Sequence, residues 1–420
     1  MAKVIPFEAV HYNTERFGKD LSRFVAPPYD VIDRVLERRL KSDRLNIAHI
    51  TLGNEDDEYA IARRRLDTWL NDGVLVRDEG KSFYIYEQTF SDADGVPRIR
   101  SGIIGLVKLE DFSSKIIMPH EKTIPKHKAD RLEHMMALQG NSEQIFLMYD
   151  DPTEEVEDIL RQSRKQEEIL RFIDFDGVHH RIIRMTEEEL INKMGSVFDN
   201  AKLLIADGHH RYETALEYRN KMRARDKSKG DEPYDFILAT LVSFRNPGLV
   251  IYPTHRLVQG VDPKLLGALP KMLDEEFITK AYKNQDELAK VVEKTDEEDF
   301  GVWIPSSKVF LSAHPKNENK PGNPMEDVPV YMVQERVLKR LLGFTAEMLD
   351  KKINIEYVKG TGPSKDLMET GEYQACFFLK PPSAQQVLKV ALTGEKLPHK
   401  STYFYPKIWA GTVLCLHWKK

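Results

Sequence analysis

A short turn near the middle of the chain gathers residue types that could bind a phosphate. After the apolar run at 203–206 the sequence reads Asp207, Gly208, His209, His210 and Arg211, and helical periodicity follows at once. A helix N-terminus presents unpaired N–H groups and a positive potential, so it attracts anions. Arg211 adds a planar donor fork that suits phosphate, and Asp207 could hold a proton or a metal ion. The structural alternative is a solvated turn in which Asp207 caps the helix.

The pattern of this turn excludes several familiar sites. It is neither GxGxxG nor GxxxxGK followed by Ser or Thr, so it indicates neither a Rossmann dinucleotide site nor a P-loop. His209 and His210 are adjacent and point to different faces, so they cannot chelate one ion within a regular element. Backbone amides, Arg211 and one of the two histidines therefore remain as the predicted phosphate ligands.

A second polar cluster lies some way before this turn. It consists of His120, Glu121, Lys122 and Thr123, and the cations Lys126, His127, Lys128 and Arg131 follow it. A carboxylate among so many cations should stay ionised and could act as a general base towards a hydroxyl. The cations could neutralise a transferring phosphoryl group. The alternative is a solvated charged loop that leads into a helix.

Two further clusters are candidates for substrate or accessory roles. Near the C-terminus, three aromatics accompany two lysines and two small hydroxyls, namely Lys400, Ser401, Thr402 and Lys407. Such a segment is unusual for a terminus, which is normally polar and loose, although its aromatics could simply dock it onto a core. His255 and Arg256 follow a predicted strand, where they could equally form a structural turn.

Composition limits where an anion could bind. The 420 residues are 41% hydrophobic and 31% charged, with a net charge of −5, so the protein as a whole does not attract nucleic acid or anionic membranes. Any anion site must be local. Cys376 and Cys415 lie in apolar surroundings and are predicted to be buried thiols, which excludes a zinc site built from cysteines. The chain shows no signal peptide and no apolar run near ~18 residues, which predicts a cytoplasmic protein with no membrane partner.

Strands and helices alternate along the chain, which predicts an α/β or mixed α+β fold with mixed sheets. Changes in the residue pattern along the sequence suggest three regions, 1–110, 111–260 and 261–420. Two strands at 81–90 and 98–109 are predicted to form a hairpin through the Asp92–Gly95 turn. Further predicted strands are at 144–149, 249–252, 300–304 and 375–379. Helices are predicted at 57–71, 152–173, 211–222, 236–244, 263–277, 285–295 and 331–342.

The motifs described above resemble those of a large, poorly characterised family, the domain of unknown function 1015. The resemblance rests on the clusters at 118–123, 206–215, 249–256 and 400–407. It extends to Ala26-Pro27-Pro28-Tyr29-Asp30 near the start, so it covers essentially the whole chain. Membership in this family does not itself imply an activity.

A more distant resemblance bears on function. The Pro-His-Glu and Asp-Gly-His-His-Arg motifs are similar to those of ParB-like and sulfiredoxin-like nucleotide-binding domains, above all the free serine kinases built on that fold. Those enzymes phosphorylate the hydroxyl of L-serine with ADP or ATP. The resemblance implies that Glu121 is the catalytic base and that residues 207–211 contact nucleotide phosphates and a metal ion. The interval between the two motifs is longer than in the compact kinases, and the flanking N- and C-terminal regions have no counterpart that we can name.

The leading hypothesis is therefore a small-molecule phosphotransferase, a kinase of free L-serine or a similar hydroxylated metabolite that uses ATP or ADP with Mg²⁺. It requires both motif loops to line one anion pocket. The alternative is a nucleotide-binding regulator of the ParB-like class without turnover. DNA binding ranks lowest because the chain is acidic and shows no basic recognition helix. A sulfiredoxin-type reaction is not favoured because no cysteine lies near Asp207.

Overall fold

A computed structural model describes residues 2–52, 58–121, 128–295, 299–316 and 324–418. The strands are β1 Val4–Ile5, β2 Val10–Tyr12, β3 Leu75–Arg77, β4 Tyr84–Ser91, β5 Pro97–Lys108, β6 Ile117–Met118, β7 Gly140–Asn141, β8 Ile145–Tyr149, β9 Glu167–Ile173, β10 His179–Arg184, β11 Leu203–Asp207, β12 Phe236–Ser243, β13 Val250–Tyr252, β14 Thr254–Val258, β15 Phe277–Ala281, β16 Phe300–Ile304, β17 Val309–Pro315, β18 Ile355–Lys359, β19 Ala375–Leu379, β20 Tyr403–Tyr405 and β21 Cys415–Leu416.

The helices within the same ranges are α1 Thr14–Phe17, α2 Arg34–Lys41, α3 Ala48–Thr51, α4 Glu58–Asn71, α5 Lys128–Leu138, α6 Glu155–Ser163, α7 Glu188–Val197, α8 His209–Asp226, α9 Pro263–Glu276, α10 Gln285–Lys294, α11 Pro329–Met332, α12 Ala346–Asp350, α13 Thr361–Glu369 and α14 Ala384–Thr393. Directly after α11 the chain continues as a π-helix over Val333–Leu341. None of the helices in the described ranges combines the length and apolar character that crossing a membrane requires.

The chain divides into two compact units. The first comprises the residues up to Pro119, the stretch that ends at Val250, and the C-terminal residues from Pro406. The second comprises His120, Glu121 and Ile251–Tyr405. The predicted boundaries near 110 and 260 do not coincide with this division. The reason is that β5 pairs with β12, so strands on both sides of residue 110 complete a single sheet.

A mixed sheet forms the first unit. Its strand order is β6-β11-β8-β12-β5-β4-β10-β9, and β1 adds to β5. The pairs β6/β11 and β8/β12 are parallel, while the predicted hairpin β4/β5 is antiparallel. The hairpin forms as expected because Asp92 Oδ1 accepts from the N–H groups of Asp94 and Val96 and Gly95 takes a positive φ of 77°. The mixed α/β class predicted from the sequence is confirmed.

The helix predicted at 236–244 is wrong, because these residues form strand β12. All eight residues of the strand are buried, and it lies between β5 and β8. A strand that is covered on both faces is apolar throughout and shows no alternation, so periodicity cannot distinguish it from a buried helix.

The single polar helix predicted at 152–173 is also wrong in its second half. Helix α6 ends at Ser163, and Glu167–Ile173 forms β9, which pairs with β10 at the edge of the sheet. Glu167, Arg171 and Ile173 on this strand are exposed. Glu167 and Arg171 are four positions apart, a spacing that places two residues on one face of a strand and also on one face of a helix.

An antiparallel sheet forms the second unit, with the strand order β15-β17-β16-β19-β14-β18. Strands β16 and β19 are buried along their whole length. Helix α10 packs its buried side chains, Leu288 and Val292, into a core with Trp303 and Phe378. The predicted strands at 300–304 and 375–379 and the predicted helix at 285–295 are all present.

Both cysteines are free and buried, as predicted. Burial raises the pKa of the Cys415 thiol to about 12 and the pKa of Cys376 still further. A buried thiol with a raised pKa carries almost no thiolate near neutral pH, so neither group is a reactive nucleophile.

Candidate functional site

The Asp-Gly-His-His-Arg turn joins β11 to α8 in the first unit. Strand β11 ends at Asp207 and α8 begins at His209. Between them Gly208 has φ 93° and ψ 28°, a left-handed conformation that glycine adopts without steric cost. A Cβ on Gly208 would lie 2.8 Å from Ile145 Cγ2. The turn therefore requires glycine both for its backbone angles and for its close approach to β8.

Asp207 is not the cap of α8, so the structural alternative for this residue does not hold. Gly208 is the N-cap residue and no side-chain hydrogen bond caps the helix there. Instead, Asp207 Oδ1 accepts from the Gly208 N–H at 2.8 Å, and Asp207 Oδ2 lies 2.7 Å from Lys407 Nζ. The Lys407 backbone is held in turn by Gln88, whose Nε2 donates to the Lys407 carbonyl at 2.8 Å. A mostly buried lysine–carboxylate pair thus stands at a helix N-terminus that lacks a side-chain cap.

Arg211 interacts electrostatically with the carboxylates of Glu143 and Asp207. Its Nη1 donates to the carbonyl of Gln144 at 2.5 Å. Burial alone would lower the pKa of the Arg211 guanidinium, but the charges of Glu143 and Asp207 outweigh it and raise that pKa. Of the two histidines beside it, His209 is buried and His210 is half-buried. The turn therefore keeps a charged arginine in a half-buried position.

His120 and Glu121 of the Pro-His-Glu motif belong to the second unit, where a C-terminal segment holds them. The Lys400 N–H donates to Glu121 Oε1 at 2.5 Å. His120 Nε2 lies 2.9 Å from Thr402 Oγ1, and the Leu397 N–H donates to the His120 carbonyl at 2.7 Å. The Glu121 side chain remains 16% exposed, so its carboxylate is held in place yet still reaches the surface.

Ser401 also belongs to the segment that holds Glu121. The Ser401 hydroxyl is buried and donates to the Pro398 carbonyl at 2.5 Å, so it stabilises the same segment. Lys122 and Thr123 lie outside the described residues. Their predicted phosphate-binding roles stay predictions, as does the requirement that both motif loops line one pocket, since the loops belong to different units.

Arg256 braces the segment that holds Glu121. Its Nη2 donates to the carbonyls of His399 and Lys400, at 3.2 and 3.0 Å, and its guanidinium lies 5.1 Å from the Tyr357 ring centroid. Burial lowers the pKa of Arg256 to about 10, while Tyr357 and Glu121 oppose that shift. The side chain is only 1% exposed. Arg256 therefore acts on Glu121 through the backbone at 399–400.

His255, the neighbour of Arg256, is engaged on both ring nitrogens. The Leu379 N–H donates to Nδ1 at 3.0 Å, so the proton belongs on Nε2, which lies 3.2 Å from Thr361 Oγ1. Burial lowers the pKa of His255 to about 3. These contacts tie β14 to β19 and α13, which is a packing role.

This buried histidine leads to a prediction about pH and stability. The unfolded chain takes up a proton at His255 near pH ~6.5, whereas the folded chain does so only near pH 3. The unfolded state therefore binds more protons in that window, and the free energy of unfolding should fall as the pH falls. Between pH 7 and pH 5 the loss from this residue should be about 2 kcal/mol, measured by urea unfolding.

The variant His255→Gln should lose this share of the pH dependence whatever its absolute stability. The exposed His179 on β10 provides the matched control, and His179→Gln should keep the slope of the unmodified protein. If His255→Gln shows the same slope as His179→Gln, protonation of His255 is not what destabilises the protein in acid.

A cluster around Glu143 was missed by the sequence analysis. The Tyr29 N–H donates to Glu143 Oε1 at 3.2 Å, and the guanidinium of Arg131 lies 4.5 Å from the Tyr29 ring centroid. The available signal was the Pro27-Pro28-Tyr29-Asp30 segment, whose prolines fix an extended path before a helix. Tyr29 lies in the first unit, close enough to Arg211 and Glu143 that both charges influence its pKa.

A Mg²⁺ ion bound at this site would need ligands from a bound molecule as well as from the protein. In the parts of the chain that the structure describes, no three His, Cys, Asp or Glu side chains are grouped as a metal site. Mg²⁺ is often held by one or two carboxylates together with substrate phosphates. The turn offers a single carboxylate, Asp207, whose Oδ1 accepts from the Gly208 N–H and whose Oδ2 is paired with Lys407, so a metal ion held there would have to displace Lys407.

Comparisons with known proteins place the chain in a family. Residues 4–365 match the family described as "Protein of unknown function (DUF1015)". No curated protein matches the sequence.

Solved structures with a similar fold include a free serine kinase in complex with AMP, at 18% identity over 69% of this chain and 83% of that chain, with a TM-score of 0.35. They also include a conserved hypothetical protein from Pyrococcus furiosus, at 17% identity, 72% and 91% coverage and a TM-score of 0.36. A third is SbnI with C-terminal truncation from Staphylococcus aureus, at 10% identity, 72% and 84% coverage and a TM-score of 0.36. These likenesses are too weak to assign an activity. The match over residues 4–365 confirms the family indicated by the motifs, and the chain belongs to the DUF1015 family.

Proposed function

We propose that the protein is a phosphotransferase that moves a phosphoryl group from ATP or ADP to the hydroxyl of free L-serine or a similar small metabolite. The observation that carries this proposal is the N-terminus of α8. No side chain caps it at Gly208, and a lysine and a carboxylate stand beside it, joined at 2.7 Å. Backbone amides, a cation and a single carboxylate are the groups that bind phosphate together with Mg²⁺.

The donor nucleotide would be held by the first unit. The amides at the start of α8 supply hydrogen-bond donors to phosphate oxygens, and Arg211 and Lys407 supply positive charge. Asp207 would hold Mg²⁺, which neutralises charge on the transferring group. Phosphoryl transfer depends mainly on positioning and charge neutralisation, and these residues provide both without any covalent chemistry.

Glu121 is the proposed general base for the acceptor hydroxyl. A general base must be held in place and must keep a carboxylate oxygen able to take the proton. The Lys400 N–H fixes Oε1, and Arg256 fixes the carbonyl of Lys400. Oε2 lies 4.0 Å from His120 Nε2, beyond hydrogen-bond distance of that nitrogen.

The full-length protein incubated with Mg²⁺, either ATP or ADP, and a pool of free amino acids should produce phosphoserine, detected by mass spectrometry. Parallel calorimetry with ADP alone measures nucleotide binding separately. Nucleotide binding with no phosphorylated product would replace the kinase with a nucleotide-binding regulator. Failure to bind either nucleotide would overturn the proposal as a whole.

A further inference from the structure

A small polar cavity lies inside the first unit, and among its charged lining side chains only Arg211 has a role in the function proposed so far. Its volume is about 30 Å³ and it is partly open. Its lining includes the charged side chains of Arg131, Glu143 and Arg211, together with Thr214. A cavity needs roughly 10–15 Å³ of such free volume to hold one water molecule, so this cavity has room for two or three water-sized groups.

The charges around this cavity are mixed in sign. Glu143 Oε1 accepts from the Tyr29 N–H at 3.2 Å, and this is the only hydrogen bond of the carboxylate within the described residues. Burial raises the pKa of Glu143, while Arg211 and Arg131 oppose that shift. Two guanidinium groups and one carboxylate thus surround a space of a few atoms, where the low dielectric strengthens every charge interaction.

Thr214 provides an independent sign that a ligand belongs in this cavity. It is 1% exposed, and its Oγ1 has no hydrogen-bond partner among the described residues. A buried hydroxyl without a partner costs free energy. Because Thr214 also lines the cavity, a polar group that enters this space would satisfy the hydroxyl.

The cavity adjoins the phosphate-binding turn. Ile145, Arg211 and Thr214 line it, and a Cβ built on Gly208 would lie 3.2 Å from Arg211 Nε and 2.8 Å from Ile145 Cγ2. A molecule bound here would therefore sit next to the N-terminus of α8, which is where an acceptor has to be if the terminus holds the phosphoryl donor.

We propose that this cavity binds the zwitterionic head of a free α-amino acid, with the ammonium on Glu143, the carboxylate on Arg131 and Arg211, and a hydrogen bond to Thr214. An ammonium and a carboxylate are small polar groups, and because the cavity is partly open the rest of the amino acid need not be enclosed. Inorganic phosphate would place negative charge against Glu143, and a nucleotide exceeds the space. The inference rests on the proposed function in that it assigns the acceptor to the amino-acid class.

The test is calorimetry on the full-length protein without nucleotide, so that it does not depend on turnover. The probes are L-serine, glycine, ethanolamine, which lacks the carboxylate, 3-hydroxypropanoate, which lacks the ammonium, and inorganic phosphate. L-Serine and glycine should bind and the other three should not. Glu143→Gln should weaken L-serine binding about ten- to hundredfold, and the isosteric Thr214→Val about two- to tenfold.

Glu157→Gln is the matched control, because Glu157 is also half-buried with a raised pKa but lies on α6 beside Arg164. It should bind L-serine as the unmodified protein does. Unchanged L-serine affinity in Thr214→Val and Glu143→Gln overturns the inference, as does binding of phosphate alone. If Glu143→Gln does not fold, the L-serine affinity of Thr214→Val alone tests the inference. Amino-acid binding without phosphoserine formation would support the cavity as an amino-acid site and contradict the proposed kinase activity. Phosphoserine formation with an unchanged KM for L-serine in both variants would support the kinase activity and contradict the amino-acid site.

Discussion

Replacing Glu121 with glutamine should lower kcat for phosphoryl transfer by about 10²–10⁴-fold and leave nucleotide affinity unchanged. The amide has the same shape as the carboxylate, and its oxygen can still accept the Lys400 N–H that now reaches Oε1 at 2.5 Å. It cannot accept the proton of the acceptor hydroxyl. Steady-state kinetics with L-serine give kcat, and calorimetry with ADP gives the nucleotide affinity.

Glu356→Gln is the matched control for this experiment. Glu356 lies on β18 in the same unit, is half-buried and also accepts a backbone N–H, that of Tyr357 at 3.2 Å. Both rate and affinity should stay as in the unmodified protein. Full activity in Glu121→Gln would remove Glu121 as the base, while a loss of nucleotide binding would mean that the residue acts on the donor instead.

The turn at Asp207 could be predicted from the sequence because its causes are local. An apolar run, a glycine with a left-handed conformation and a helix that starts directly after it are all readable within fifteen residues, as is the Asp92–Gly95 hairpin. Strand β12 could not be predicted in the same way. What makes residues 236–243 a strand is their pairing with β5 on one side and β8 on the other, and neither pairing leaves a periodic trace in the segment itself.

The C-terminal cluster shows where residue types mislead about roles. Lys400 and Lys407 look equivalent in the sequence, yet Lys407 uses its ammonium group on Asp207 whereas Lys400 uses its backbone N–H on Glu121. These contacts join residues 200 and 279 positions apart. A backbone donor is present at almost every residue, so no sequence pattern could have revealed which one would hold the candidate base.

The cavity residues were missed for a related reason. Glu143 lies in the short link between β7 and β8, and Thr214 is a single threonine on the polar helix α8, so neither belongs to a recognisable spacing. Their significance comes from burial, which leaves the Thr214 hydroxyl without a partner and places Glu143 against two arginines. Only the Pro-Pro-Tyr-Asp segment pointed towards this part of the molecule, and it did so without indicating which residues it would meet.

Substituting Gly208 with alanine should reduce the free energy of unfolding by about 2–5 kcal/mol. The left-handed conformation costs an alanine about 1–2 kcal/mol, and the new methyl would lie 2.8 Å from Ile145 Cγ2, a contact that adds overpacking strain of about 1–3 kcal/mol. Any relief requires the start of α8 to move away from β8, so ADP binding should weaken as well. Urea unfolding and ADP calorimetry on the same preparation measure both effects.

Gly195→Ala separates the geometry of the turn from the general effect of adding a methyl group to a glycine. Gly195 lies within α7, and nothing stands within 4 Å of the Cβ that it would gain. Alanine in a helix interior is favoured over glycine by roughly 0.5–1 kcal/mol, so this variant should be more stable than the unmodified protein. The two substitutions are chemically identical, and only the backbone conformation and the neighbours differ. Equal effects in both would mean that the approach of Gly208 to Ile145 does not constrain the turn, and the turn would then have no fixed geometry with which to hold a phosphate.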